Sequence, residues 1–417
     1  MQENRAPALA ETKTEEKLSC HDSDSLATKA QFFSWEEIRK TLSKIGCAGC
    51  KWLGQHYRLT HSSVLAGTAD RVMASSTPIP TVLRIDVEPD EHQPPVGERP
   101  WHGFLAMFDM VERLRRRLSD VTSHPVRPTW LIRLDPDIER AFGRVDFPVR
   151  RHHDLFERIL KHSDVLGIHV HAARWSAEKA VVFSDFADET WIVECLRVAA
   201  STFQNCFDRP TQVMSYGGFF MRDSLLDAAV ALGIKADVTV EPGLPPKHDN
   251  MSFGAYSTAP SGDFVRCPRL PYYPSRRAFD IPATSVDDVR PLLMVPLISG
   301  DTSPILKRWY RRFVRRDLPK CYEPLNPWKL WPSPQRFWDL AQRAADELPA
   351  PYLAFALRTD APNTDSYRGV SELFEHLPRH PIAKRIQIVN PLSWEVESLA
   401  GPRPFEWPEA SASTRVQ

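Results

Sequence analysis

Two pairs of side chains in this sequence have the types and spacing for metal-assisted acid–base chemistry. Asp86 and Glu88 close the stretch 81–90 (TVLRIDVEPD), and His169 and His171 close 167–171 (GIHVH). A strand repeats every two residues, so each pair leaves its strand end on one face. Carboxylates on the inner face of a sheet are costly unless they meet a cation, a metal or an arginine. Oxygen and nitrogen donors together suit a divalent metal, most readily zinc: two neutral imidazoles and one carboxylate give three protein ligands and leave a position for water. In that scheme Glu88, His169 and His171 are the ligands. Asp86, beside Arg84 on the same strand face, is the general base. The reverse assignment of the two carboxylates, or both as ligands, fits the same spacing.

Three more presumed strands end in polar residues at i and i+2: Arg133 with Asp135, Asp237 with Thr239 and then Glu241, and Arg358 with Asp360. Five such ends after apolar strands mean that the carboxyl ends of a parallel sheet converge on one polar centre. Arg133 and Arg358 suit a developing oxyanion or an anionic substrate group. The catalytic candidates are thus Asp86, Arg84, Arg358 and Asp360, and the substrate-binding candidates are Arg133, Asp135, Trp175, Glu241 and Tyr272.

The elements that must position these groups alternate from Pro80 onward. A strand over 81–88 leads to a helix over 103–118, a strand over 129–134, a helix over 150–162 and the strand ending at His171. A helix over 189–207, a strand over 211–215, a helix capped by Asp223 or Ser224 and a strand over 236–240 follow. Residues 244–288 read as a long excursion, after which strand 291–297, a helix begun by Ser333, strand 352–357, helix 370–377 and strand 386–389 complete the pattern. Alternation of this kind predicts an α/β fold, a parallel sheet with helices outside it. The boundaries divide into a polar arm (1–30), an N-terminal helical extension (31–78), the barrel (79–398) and a polar tail (399–417). Within the extension, Ser34 and Glu37 form a capping box, and Cys47-Ala48-Gly49-Cys50 reads as a turn with two thiols rather than a zinc module.

With 53 basic against 53 acidic residues, no global field argues for nucleic acid or a membrane surface. A local contact with a peripheral membrane or another anion rests on 307–316 (KRWYRRFVRR), which reads more readily as a solvated helix face with Trp309 and Phe313 packed inward. No apolar run is long enough to cross a bilayer. The polar amino terminus and seven scattered cysteines fit a cytoplasmic protein with reduced thiols. The oligomeric state has no signature in the sequence.

Taken in order, IDVEPD, GIHVHAARW, VMSYGGFFMRDSLLDAAVALGI, KADVTVEPG and ALRTD resemble the polysaccharide deacetylase superfamily (NodB homology, carbohydrate esterase family 4 type), and within it the WalW-like branch. The resemblance spans about 80–394. It implies a distorted (β/α) barrel, a divalent metal and hydrolysis of an N-acetyl or related acyl group on a carbohydrate. By position it places the acidic motif on Asp86 and Glu88 and the histidine motif on His169 and His171. It places the loop that orients the base on 215–219 and the closing general-acid motif on 358–360. This chain departs at four points. The usual adjacent Asp-Asp is Asp-x-Glu, and Ala173 stands where a second ligand histidine is usual. Ser215 stands where the orienting arginine would be, with Arg84 able to substitute, and Arg358 replaces the closing histidine. An arginine cannot donate a proton near neutrality, so the acid would be another group, with Asp135 and Glu241 as candidates. The alternative is an inactive barrel of the same kind that binds a glycan or a partner enzyme.

Overall fold

The structure is a computed structural model that describes residues 77–91, 101–247, 257–303, 322–360 and 362–393. The chain divides into two units, 1–76 and 77–417, and the described residues all belong to the second. The polar arm, the extension as far as residue 76 with its Cys47–Cys50 motif, the basic run 307–316 and the tail lie outside them.

The apolar stretch of β1 (Ile79–Val87) is buried almost throughout, because the strand is central in the sheet. Helix α1 (His102–Thr122) follows, burying Phe104, Met107, Phe108, Val111, Leu114 and Leu118 at three- and four-residue intervals. Next come β2 (Thr129–Arg133) and α2 (Pro136–Phe142), a helix that the spacing does not predict. Its start is set by Asp135, which accepts the Asp137 N–H, and by Pro136 in the first turn. The single helix expected over 150–162 is two, α3 (Phe147–Arg151) and α4 (His153–Lys161), broken at His152 with φ −122° and ψ 33°.

Strand β3 (Val165–Val170) leads into an unpredicted hairpin, β4 (Ala173–Ser176) and β5 (Val181–Ser184). Helix α5 (Glu189–Phe207) matches its expected span, capped by Asp188 and burying Ile192, Cys195, Leu196, Ala199 and Phe203. Then follow β6 (Val213–Tyr216), α6 (Asp223–Ala231) and β7 (Ala236–Asp237). Neither Asp223 nor Ser224 caps α6. Asp223 lies in its first turn and accepts from Arg290 at 3.0 Å.

The excursion after β7 is pinned to the sheet by a bridge between Tyr272 and Met294 in β8 (Leu293–Met294). An antiparallel pair, β9 (Ser299–Asp301) with β10 (Tyr322–Pro324), precedes α7 (Pro334–Asp346), which Ser333 caps as expected. The chain ends with β11 (Leu353–Arg358), α8 (Asp365–His376) and β12 (Ile386–Ile388).

The strand order β11-β1-β2-β3-β6-β7-β8 is parallel at every pairing, with β12 added beside the start of β1. Beyond β8 the ladder continues as single backbone bonds, Val295 N–H to Asp237 O and Leu297 N–H to Val240 O. Ile298 then donates to Ala354 O of β11 at 2.9 Å. That bond joins the two sheet edges, so the expected distorted (β/α) barrel is what the chain forms. No helix among the described residues is long and apolar enough to cross a membrane. The carboxyl ends of β1, β3 and β6 open together on one cleft, where loops after the strands leave room for side chains.

Candidate metal centre

The end of β1 is fixed before any functional side chain is considered. Thr359, just past β11, donates its backbone N–H to Asp86 O at 3.0 Å. Its hydroxyl accepts the Glu88 N–H at 2.7 Å and donates to Glu88 O at 2.6 Å. Asp86 and Glu88 therefore leave a strand end that has little freedom to move.

Arg84 and Asp86, two residues apart on the inner face, form a two-pronged pair: Nε donates to Oδ1 at 2.7 Å and Nη2 to Oδ2 at 2.6 Å. The third arm of the guanidinium reaches Val238 O at 2.8 Å. Burial works against the Arg84 charge, but Asp86, Glu241 and Asp237 raise its pKa above the ordinary value. Arg84 thus holds both carboxylate oxygens of Asp86.

Strand register sets the next row, with Arg133, His169 and Ser215 abreast on β2, β3 and β6. The Ser215 hydroxyl donates to Asp86 Oδ1 at 3.3 Å, which leaves its oxygen to accept from His169 Nδ1 at 2.7 Å. This chain of donors assigns His169 the Nδ1–H tautomer and leaves the Nε2 lone pair facing the other way. There it lies 2.8 Å from His171 Nε2 and 3.6 Å from Glu88 Oε1, and His171 Nε2 lies 3.1 Å from Glu88 Oε2. One donor atom from each of Glu88, His169 and His171 falls within 4.8 Å of the others, and all three residues are buried. Burial pushes both imidazoles below the ordinary histidine pKa, opposed by Asp86 and Glu88 at His169, and reinforced by Arg133 at His171, which lies well below it. Two neutral imidazoles and a carboxylate converging on one point are a donor set that a divalent transition metal fits. Asp86 sits at the opposite end of the His169 ring from that point.

His171 is held from two sides. Its backbone N–H donates to Asp135 Oδ2 at 3.2 Å. Its ring packs on Gly217, where a Cβ would overlap Nε2, Cδ2 and Cε1 of the imidazole. Asp135 in turn accepts from Arg133 Nε at 2.9 Å, and Arg133 Nη2 reaches Asp137 at 2.8 Å. Arg133, with 0% exposure, and Asp135 thus form the wall behind the centre instead of lining the cleft.

The cleft has a volume of about 320 Å³ and is bordered by Arg84, Asp86, Glu88, His169 and His171 and by Glu241 and Arg358. Of the other expected substrate contacts, Trp175 is 46% exposed on the β4–β5 hairpin against Arg140. Tyr272 is buried in the excursion and donates its hydroxyl to Phe279 O. Neither borders the cleft. Asp360 pairs with Arg358 Nε at 3.0 Å, and Arg358 lies over the Trp328 ring at 5.3 Å. Burial raises the Glu241 carboxyl to about 7, against Arg84 and Lys247, and Asp237 to about 6, against hydrogen bonds from Thr239. Spacing does not single out Phe219, Lys247 and Trp328, which border the cleft from a short 3-10 turn and two loops with no periodic pattern.

No protein-family model and no curated protein matches the chain. Among solved structures, one from Parabacteroides distasonis, provisionally described as a glycoside hydrolase/deacetylase, is 14% identical. The match covers 75% of this chain and 69% of that one, at a TM-score of 0.44. A probable polysaccharide deacetylase from Pseudomonas aeruginosa is 12% identical over 75% and 88% of the two chains, with a TM-score of 0.42. The Puue allantoinase is 13% identical over 76% and 89%, with a TM-score of 0.39.

Proposed function

We propose that this chain is a metal-dependent hydrolase of the polysaccharide deacetylase superfamily, removing an acyl group, N-acetyl in the first instance, from an amino sugar or glycan precursor in polysaccharide metabolism. The observation that carries the reading is the convergence of Glu88, His169 and His171 on the border of a cleft, beside an Asp86 whose carboxylate is oriented by Arg84. The motif order along the chain supports the family. A divalent metal, zinc by preference, held by those three residues supplies Lewis acidity to the acyl group and to water. Asp86 is the base that accepts the water's proton, and Arg84 fixes the direction of its oxygens. Ser215 holds the His169 ring in the tautomer that presents Nε2. Trp328, with Arg358 over its face, and Phe219, with Lys247 over its face at 4.9 Å, give a sugar ring apolar and cationic contacts at the mouth.

One observation favours a second reading, an inactive barrel that binds a glycan or a partner. Both Asp86 oxygens are already taken by Arg84, and Ser215 adds a third donor. Elemental analysis of the untagged protein beside a folded His169→Ala/His171→Ala variant separates the two. Near-stoichiometric zinc in the parent and none in the variant supports the hydrolase. An absence of metal in both after incubation with zinc, cobalt and nickel moves the reading to the binding barrel.

The Gly217 contact gives a subtler check. A methyl group there pushes the His171 ring off its position, so Gly217→Ala is expected to weaken zinc binding by about 10–100-fold, the range seen when support for a ligand is lost. Competition with a chromophoric chelator measures this. An unchanged affinity would show that His171 is not a ligand or that its ring is free to adjust.

A further inference from the structure

The nitrogen of an amide is too basic to leave as an anion, so its hydrolysis needs a proton donor positioned at the leaving atom. We propose that Glu241 is a catalytic residue that delivers this proton, an assignment that rests on the hydrolase reading above.

The argument is placement and elimination. Glu241 is 7% exposed and borders the cleft opened by Asp86, Glu88, His169 and His171. Of the other titratable groups on that border, Arg84 and Arg358 keep their protons at any working pH. Lys247 and Lys329 are bordering cations whose side chains lie toward the Phe219 and Trp331 rings. The Tyr216 hydroxyl is directed to Leu225 O and is pushed well above its ordinary pKa by burial. Glu88, His169 and His171 face one another as ligands, and Asp86 is the acceptor for the Arg84 fork and the base in the proposed reaction. Asp135, the other candidate raised by the sequence, lies behind the centre with its oxygens held by Arg133, the Asp137 N–H and the His171 N–H.

Glu241 remains, and its surroundings suit the task. The groups that face it are Arg84 and Asp86 from β1, Lys247 from its own loop and Arg358 from β11. Burial outweighs the three cations and Asp86 adds to it, so the proton is held to about pH 7. A carboxyl poised there is both protonated in useful amount and able to give the proton up.

The step balances without a co-reactant. Water oxygen bonds to the acyl carbon and its proton passes to Asp86. The carbon–nitrogen bond breaks, its electron pair leaves with nitrogen, and nitrogen takes the Glu241 proton. The products are a carboxylic acid and a free amine. Asp86 is left protonated and Glu241 ionised, and exchange with solvent restores both.

The test uses the full-length, zinc-loaded protein and Glu241→Gln with two probes. Tetra-N-acetylchitotetraose is an amide that needs leaving-group protonation. 4-Nitrophenyl acetate is an ester whose phenolate departs unaided. The expected result is a loss of about 10²–10⁴-fold on the amide, with ester cleavage changed by less than about threefold. In the parent, amide cleavage falls on the alkaline side near pH 7. Difference infrared spectra show a carboxyl component titrating near pH 7 beside that of Asp237 nearer 6, and Glu241→Gln loses only the former. An active parent whose variant cleaves the amide undiminished, or loses both probes equally, overturns the proposal alone. So does a carboxyl component near pH 7 that is undiminished in the variant. A parent inert to both probes sinks the hydrolase reading and this assignment with it.

Discussion

Asp86→Asn is expected to abolish amide and ester cleavage by about 10²–10⁴-fold while zinc stoichiometry stays unchanged. The two halves of this result separate the possible roles of the acidic pair. Glu88 faces Nε2 of both histidines, at 3.6 Å and 3.1 Å, whereas Asp86 lies 3.5 Å from Nδ1 of His169, the far nitrogen of the ring. A carboxylate on that side is badly placed to share the metal, and as a cleft-lining group it keeps the role of base proposed above. Loss of metal together with activity would reverse the roles, making Asp86 a ligand. The change also has a structural cost. An amide accepts only one of the two bonds that the Arg84 fork donates, and the guanidinium stays buried near Glu241 and Asp237. Breaking a buried pair from one side costs about 3–5 kcal/mol in the general case. The retained neighbours keep the loss here toward the lower end, and chemical denaturation of the metal-free variant measures it. Full activity in Asp86→Asn would remove the proposed base and favour the binding barrel.

What the sequence discloses about this centre follows from what strand periodicity can carry. Asp86, Glu88, His169 and His171 meet because each pair stands two residues apart at the end of an apolar strand, a relation visible without coordinates. Arg84 as the partner of Asp86 follows from the same rule. The role of Ser215 does not. A serine on a strand has no pattern of its own, and its value comes from the β3–β6 register, which sets it level with His169. Arg133 and Asp135 look like substrate contacts for the reason that His169 and His171 look like ligands, polar residues at i and i+2. The difference is that Asp135 begins α2, so its carboxylate turns to the helix N-terminus and draws Arg133 inward. Trp175 follows the histidine motif by only four residues, yet it stands on the first strand of the β4–β5 hairpin, against Arg140 and away from the cleft. The barrel itself is legible from the alternation of elements. Its closure through Ile298 and Ala354 is a single backbone bond that no side-chain pattern marks.

Arg133→Met is expected to destabilise the barrel by about 3–5 kcal/mol. The guanidinium has no solvent exposure and lies among three carboxylates: Asp135 at 2.9 Å, Asp137 at 2.8 Å and Glu88 at 3.8 Å. Burial opposes its charge, yet the three acids together hold its pKa above the ordinary arginine value. Methionine fills much of the same space and leaves those acids facing one another. The sign of the pH dependence follows. Asp135 is already raised by burial against the pull of Arg133, and without that cation it rises further. A carboxyl raised in the fold binds its proton more tightly there than in the unfolded chain, so stability falls as pH increases through the range between its unfolded and folded values. The deficit of Arg133→Met is therefore smallest in mild acid and largest above neutrality. Zinc offers an independent lever, because a cation at Glu88 replaces part of the lost charge, and binding only to the folded state adds stability by mass action. Denaturant midpoints taken at acid and alkaline pH, with and without zinc, give all four values. A variant as stable as the parent at alkaline pH without metal would show that the carboxylates are not ionised together in the fold, and that Arg133 is packing rather than the counter-charge around which the back of the centre is built.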